Sequence, residues 1–170
     1  MPAGSADARV LTTAADASFR RSQPGRRNDE TRAKKALRDA HPDLEDAHLS
    51  VTSFNGVVLL TGQVPSEEAK EVASKTVGEL RHVKTLHNEL QVAGPTSMVA
   101  RYNDGWLSTK VKTALVTDEA IEGSRVKVVT EDGVVYLMGL MTRNEADAIV
   151  EKARQVFGVQ KIVKAFEYIN

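Results

Sequence analysis

The sequence predicts an α/β (α+β) protein of two α-β-β-α-β domains, each a three-stranded mixed sheet covered on one face by two helices. Three observations carry that prediction. A hairpin signature occurs twice, as Asn55-Gly56-Val57-Val58-Leu59-Leu60-Thr61-Gly62 and, 77 residues on, as Asp132-Gly133-Val134-Val135-Tyr136-Leu137-Met138-Gly139. Its surroundings repeat with it: Arg32 to Leu37 aligns with Lys110 to Leu115, Glu68-Ala69 with Glu145-Ala146, and Val83 to Leu86 with Val159 to Ile162. Each hairpin lies between two stretches of helical apolar spacing and is followed by one more alternating stretch, which sets the order of elements.

Residues 1–28 have few large apolar side chains, too few to offset the entropy cost of ordering, and read as a flexible leader. Met1-Pro2-Ala3-Gly4-Ser5 reads as an artificial start, with natural sequence expected upstream of it. The first domain spans 29–92. Its opening helix starts near Asn28 or Asp29, either a fair N-cap, carries Ala33, Ala36, Leu37 and Ala40 on one side, and stops at His41-Pro42.

Leu49 to Phe54 and the run after Asn55-Gly56 form the hairpin, because Asn-Gly supplies the two positive-φ residues of a type I′ turn. The downstream arm is apolar on nearly every residue and reads as a central strand, with Gly62 permitting a bulge or a close helix approach. Pro65-Ser66-Glu67-Glu68 opens the second helix, with Ala69, Val72, Ala73, Val77 and Leu80 inward. Val83 to Val92 alternates as the third strand.

Residues 93–103 form a linker, and the second domain, 104–170, follows the same plan. Its first helix is capped by Asn103 or Asp104. Val126 to Thr130 and the run after Asp132-Gly133 pair as the hairpin, and Thr142-Arg143-Asn144-Glu145 has the form of a capping box. The next helix turns Ala146, Ile149, Val150, Ala153 and Val156 inward, and Ile162 to Ile169 closes the sheet. A right-handed β-α-β crossover returns each third strand parallel to the central one. Val58, Leu60, Val135 and Leu137 belong to the cores.

Composition excludes several classes of function. The chain is 41% apolar and 27% charged, ordinary for a globular protein, and no run approaches the length of a membrane-spanning helix. There are no cysteines, hence no disulfide, thiol nucleophile or thiolate metal site. Net charge is zero, spread unevenly: residues 1–28 carry five Arg against two Asp, while neither domain is basic. With no paired aromatics on the sheet arms and no GXXG loop between helices, nucleic acid is not an expected partner.

The four histidines, His41, His48, His82 and His87, fit no metal-ligand spacing and read as loop or surface residues. Glu67-Glu68 and Glu131-Asp132 sit where a helix start and a turn favour carboxylates, so capping explains them without acid-base catalysis. With no nucleophile-base, phosphate-loop or redox motif, no catalytic residue, metal ligand or cofactor is assigned.

On a helical period, Leu107, Val111, Ala114 and Leu115 share the face that the sheet must cover, while Trp106, Thr109, Lys110 and Thr113 share an adjacent one. Spacing alone leaves two placements for Trp106: out on the surface, or folded back over the hydrophobic edge. The first domain has Asp29-Glu30-Thr31 where the second has Leu107-Ser108-Thr109, an acidic start that repels anionic headgroups.

The tandem arrangement, with Asn103-Asp104-Gly105-Trp106-Leu107-Ser108-Thr109-Lys110-Val111-Lys112 and Val134-Val135-Tyr136-Leu137-Met138-Gly139-Leu140, resembles the BON-domain family, and within it the dual-BON outer-membrane lipoproteins. The resemblance covers residues 29–169 and is most specific in the second repeat. It implies a non-enzymatic protein at the inner leaflet of the outer membrane, facing the periplasm and supporting envelope integrity. Its second domain would bind anionic phospholipid, phosphatidylglycerol or cardiolipin, through Gly105, Trp106, Ser108, Thr109, Lys110, Lys112 and Thr113. Arg101 and Lys127 would help as further cations, and the outer-membrane assembly machinery is a candidate protein partner.

One departure stands out. Such lipoproteins carry their lipid on an N-terminal Cys, and this sequence has none. Either an anchor lay upstream, or the chain is a soluble periplasmic interaction or stress-response module without direct lipid binding.

Overall fold

A computed structural model describes residues 26–94 and 98–169. Most of the expected leader and Pro95-Thr96-Ser97 of the expected linker lie outside the described residues, as do the side chains of Asn28 and Arg101. The chain divides into two compact units, one of residues 25–104 and one that includes 105–170.

In the first unit, α1 (Arg26–Ala40) is followed by a short α2 (Pro42–Glu45), the hairpin strands β1 (Leu49–Phe54) and β2 (Val57–Val64), α3 (Glu67–Gly78), and then β3 (Thr85–Asn88) and β4 (Gln91–Val92). A long α4 (Met98–Thr117) runs across the division at 104/105, and in the second unit its later part leads through a 3-10 turn to β5 (Lys127–Glu131), β6 (Val134–Met141), α5 (Arg143–Arg154) and β7 (Lys161–Tyr168). Both sheets are mixed. β2 pairs antiparallel with β1 and parallel with β3 and β4, and β6 pairs antiparallel with β5 and parallel with β7.

The hairpin turns are those the dipeptides demand: φ is 47° at Asn55 and 81° at Gly56, and 51° at Asp132 and 77° at Gly133. The glycine near the end of each central strand serves a close approach, but of a different neighbour from a helix. A side chain on Gly62 would collide with the carbonyl oxygen of His48, and one on Gly139 would stand 2.9 Å from that of Arg125. In both cases the chain entering the edge strand takes the space.

Helices cover one face of each sheet. In the first unit Ala33, Leu37, Leu44, Ala69, Ala73 and Val77 meet Val51, Val58, Leu60, Val64 and Leu90. In the second, Leu107, Val111, Leu115, Ala146, Ile149 and Ala153 meet Val135, Leu137, Met141 and Phe166. The alternate residues of the central strands, Leu59, Tyr136 and Met138, are buried as well.

Three boundaries differ from expectation. α4 starts at Met98 rather than at Asn103 or Asp104: Met and Ala are strong helix formers, and Asn and Asp cost only a few tenths of a kcal/mol inside a helix, too little to stop one. α1 starts at Arg26 for a similar reason. The third strand of the first sheet is broken at Glu89-Leu90, because the Asn88 side chain accepts from Leu90 N–H at 3.2 Å and donates to the Lys70 carbonyl at 3.0 Å. β7 has no Asn inside it and runs unbroken.

The capping box is complete. Thr142 Oγ1 accepts from the Glu145 N–H at 3.2 Å, and Glu145 Oε2 accepts from the Thr142 N–H at 2.7 Å. That second bond, helped by Arg125, holds the Glu145 carboxyl below its ordinary value of 4.5. A depressed carboxylate pKa stabilises the fold above the unfolded value, and the contribution is lost as pH falls through the folded one. Glu145→Gln is therefore expected to flatten the acid limb of thermal melts below pH 4.5 and to leave their shape near neutrality unchanged.

Leu137 is fully buried in the second core. Leu137→Ala is expected to lower stability by about 2–5 kcal/mol. A loss under about 0.5 kcal/mol in denaturant unfolding would be that of a surface change and would contradict its inward placement.

Candidate functional site

Among the described residues, the two most exposed aromatic side chains of the second unit, Trp106 and Phe157, lie toward one end of it, while the less exposed Tyr168 closes β7 at the other. Antiparallel pairing brings Glu131 opposite Val134, and parallel pairing brings Lys161, at the start of β7, beside the same residue. The hairpin and the α5–β7 turn therefore share an end. The Gln160 N–H donates to the Gly133 carbonyl at 3.1 Å, and Ser108 Oγ bonds Thr130 Oγ1 at 2.6 Å, which ties the early part of α4 to that end too.

Trp106 stands there 61% exposed, so it is not folded back over the edge. Leu107, the next residue, is 6% exposed, and Val111 and Leu115 are fully buried, as the helical period requires. Lys110, one turn on from Trp106, reaches across to the α5–β7 turn. Its Nζ donates to the Phe157 carbonyl at 3.0 Å and lies 5.8 Å from the centre of the Phe157 ring. Phe157 is 90% exposed.

Of the sequence-assigned residues, Trp106, Thr109, Lys110 and Thr113 come together on one side of α4. Thr109 is exposed and donates to the Gly105 carbonyl at 3.0 Å; Thr113 is exposed, and its carbonyl accepts from Thr117 at 2.8 Å. Gly105, Ser108 and Lys112 fall on the other flank of the helix. Ser108 is spent on Thr130, and Lys112 is half-buried. Lys127 opens β5 and Thr130 lies three residues further along it, about 10 Å away, so Lys127 is not at this end. Glu131 and Asp132 are at this end with Lys110 and Lys161, so the tip carries both signs of charge.

Phe157 was missed by sequence reasoning. Its signal was the comparison of repeats: aligning Val159 with Val83 puts Phe157 where the first repeat has Arg81, and Gly158 where it has His82. Gly158 has φ of 101°, and a side chain there would stand 3.4 Å from Leu107 Cδ1 and 3.7 Å from Lys110 Nζ. A left-handed backbone thus turns Phe157 out while Val156 and Val159 on either side pack against the core.

The first unit lacks this tip. Asp29 and Ala33 stand where the second has Leu107 and Val111, and the missing volume is an open groove of about 150 Å³ whose walls include Asp29, Arg32, Ala33, Val58, Leu80 and Arg81. Arg125, with Glu122 at 2.9 Å, Glu145 at 3.6 Å and the Leu140 carbonyl at 2.7 Å, closes a loop onto the α5 cap. Among the described residues no group of three or more His, Asp or Glu could hold a metal, and no helix is long and apolar enough to cross a membrane.

Comparison with known proteins gives a consistent result. The chain is 34% identical over 125 residues to the outer membrane lipoprotein DolP of Haemophilus influenzae, covering 74% of this chain and 65% of that protein. It is 34% identical over 126 residues to a 21 kDa hemolysin of Actinobacillus pleuropneumoniae, again covering 74% and 65%. It is 30% identical over 134 residues to the osmotically-inducible protein Y of Escherichia coli K12, covering 77% and 66%. The chain thus spans just under two thirds of the length of the first two. The BON domain pattern matches twice, at residues 27–94 and 103–170, so the chain belongs to the BON-domain family.

Proposed function

We propose that this chain is a non-enzymatic phospholipid-binding protein of the bacterial envelope. Its second BON domain docks on the inner leaflet of the outer membrane, takes anionic phospholipid, phosphatidylglycerol or cardiolipin, and so supports envelope integrity. The observation that carries the reading is Trp106, 61% exposed at the tip of the second domain with a lysine one helical turn away. An indole suits the boundary between headgroups and acyl chains, with its ring in the apolar layer and its N–H hydrated.

A lysine near an anionic surface adds roughly 1 kcal/mol, and Glu131 and Asp132 at the same tip temper that. The preference for anionic lipid is accordingly modest and weakens with salt. Similarity to an outer membrane lipoprotein supports an envelope location. The outer-membrane assembly machinery is the protein partner that fits such a location.

A second reading is a soluble periplasmic interaction module without direct lipid contact, favoured by the similarity to the osmotically-inducible protein Y. Tryptophan fluorescence separates the two, since Trp106 is the only indole. Titration with phosphatidylglycerol-containing vesicles is expected to shift its emission to the blue, and Trp106→Ala to lower co-flotation about tenfold, a change of about 1.4 kcal/mol. An unchanged spectrum, with normal flotation of a folded Trp106→Ala chain, would overturn the lipid reading at this helix.

A further inference from the structure

We propose that Phe157 is a second membrane anchor, so that the second domain meets a phospholipid surface at two aromatic points, Trp106 on α4 and Phe157 on the α5–β7 turn, with Lys110 between them. This rests on the lipid-binding reading and extends it to an element outside the helix.

Phe157 is 90% exposed, the most exposed large apolar side chain among the described residues. Folding gains nothing from a phenyl ring held in water, whereas Val156 and Val159 beside it are partly buried against the core. Its placement is also built. Gly158, at φ 101°, reverses the chain immediately after it, and Lys110 Nζ fixes its carbonyl at 3.0 Å. The ammonium also lies 5.8 Å from the ring centre, within cation–π range.

Topology puts the occupant within reach of both rings at once. Trp106 and Lys110 are successive positions on one helix face, Lys110 touches the Phe157 turn, and all belong to one end of a single unit. A lipid surface is the partner that fits a fully apolar ring and an amphipathic indole flanking a cation. The phenyl ring, with no polar atom, sits below the headgroups, the indole at their boundary, and the ammonium beside the phosphates. Two contact points on different elements restrict how the domain can tilt on the membrane, which a single Trp does not.

The test uses the full chain with vesicles of phosphatidylcholine containing phosphatidylglycerol. Phe157→Ala is expected to weaken co-flotation about tenfold while circular dichroism stays unchanged, as suits an exposed residue. Because the sequence has no cysteine, Phe157→Cys accepts a single environment-sensitive fluorophore. Its emission is expected to rise and shift blue on vesicle-bound protein, and that of the same label at Glu119→Cys, an exposed site past the other end of α4, to stay as in water.

Label emission at position 157 that stays as in water on bound protein, or Phe157→Ala partition within twofold of the parent, overturns the second anchor and leaves Trp106 standing. Concentration-dependent sedimentation abolished by Phe157→Ala, with vesicle binding intact, also overturns it and assigns the ring to self-association. A parent chain that binds no vesicles overturns this inference and the lipid reading together.

Discussion

Everything at the tip of the second domain depends on how its central strand is paired. β6 leaves a two-residue turn, so its antiparallel partner β5 ends where β6 begins, and its parallel partner β7 must start at that same end. The helix before the hairpin has to run the opposite way to deliver the chain to the start of β5. The part of α4 around Trp106 to Lys110, the hairpin and the α5–β7 turn are therefore brought together. The φ values of 51° and 77° at Asp132 and Gly133 are the local chemistry on which that arrangement turns.

What could be read in the sequence follows from this. The turn dipeptides, the capping box and the apolar periods are local statements, each complete within a few residues, and they put Val58, Leu60, Val135 and Leu137 into the cores. The interruption at Glu89-Leu90 was not legible, because Asn88 breaks the strand through a bond to Lys70, a residue 18 positions away on another element. Nor was the whole of the tip: Trp106 is visible as a residue off the core stripe, whereas Phe157 acquires meaning only when parallel pairing carries its turn to Lys110. Lys112 and Ser108 share a sequence stretch with Trp106 but not a helix face, and a stretch of sequence does not distinguish the two.

The two domains show how one fold supports different surfaces. Leu107 and Val111 fill the space between α4 and the sheet, and the smaller or charged Ala33 and Asp29 leave about 150 Å³ of the corresponding space open. Arg81 and His82 replace Phe157 and Gly158, so the first repeat has neither the exposed ring nor the left-handed glycine that presents it. The cores keep their helical and strand periods in both repeats. These differences lie where the helix faces the sheet and in the turn before the last strand, and the first of them changes the packing.

On the lipid reading, the energetics favour two aromatic points over one. Burying a single aromatic ring is worth roughly 1.5–3 kcal/mol, and a lysine near an anionic surface about 1 kcal/mol more. One ring with one cation thus gives marginal, readily reversed adsorption, comparable to a single weak anchor. A second ring held on the same rigid end adds its transfer energy without a second loss of translational freedom, because both points arrive together. Rigidity is what permits this. The Lys110 bond to the Phe157 carbonyl ties the turn to the helix before any membrane is met, so less ordering remains to oppose binding.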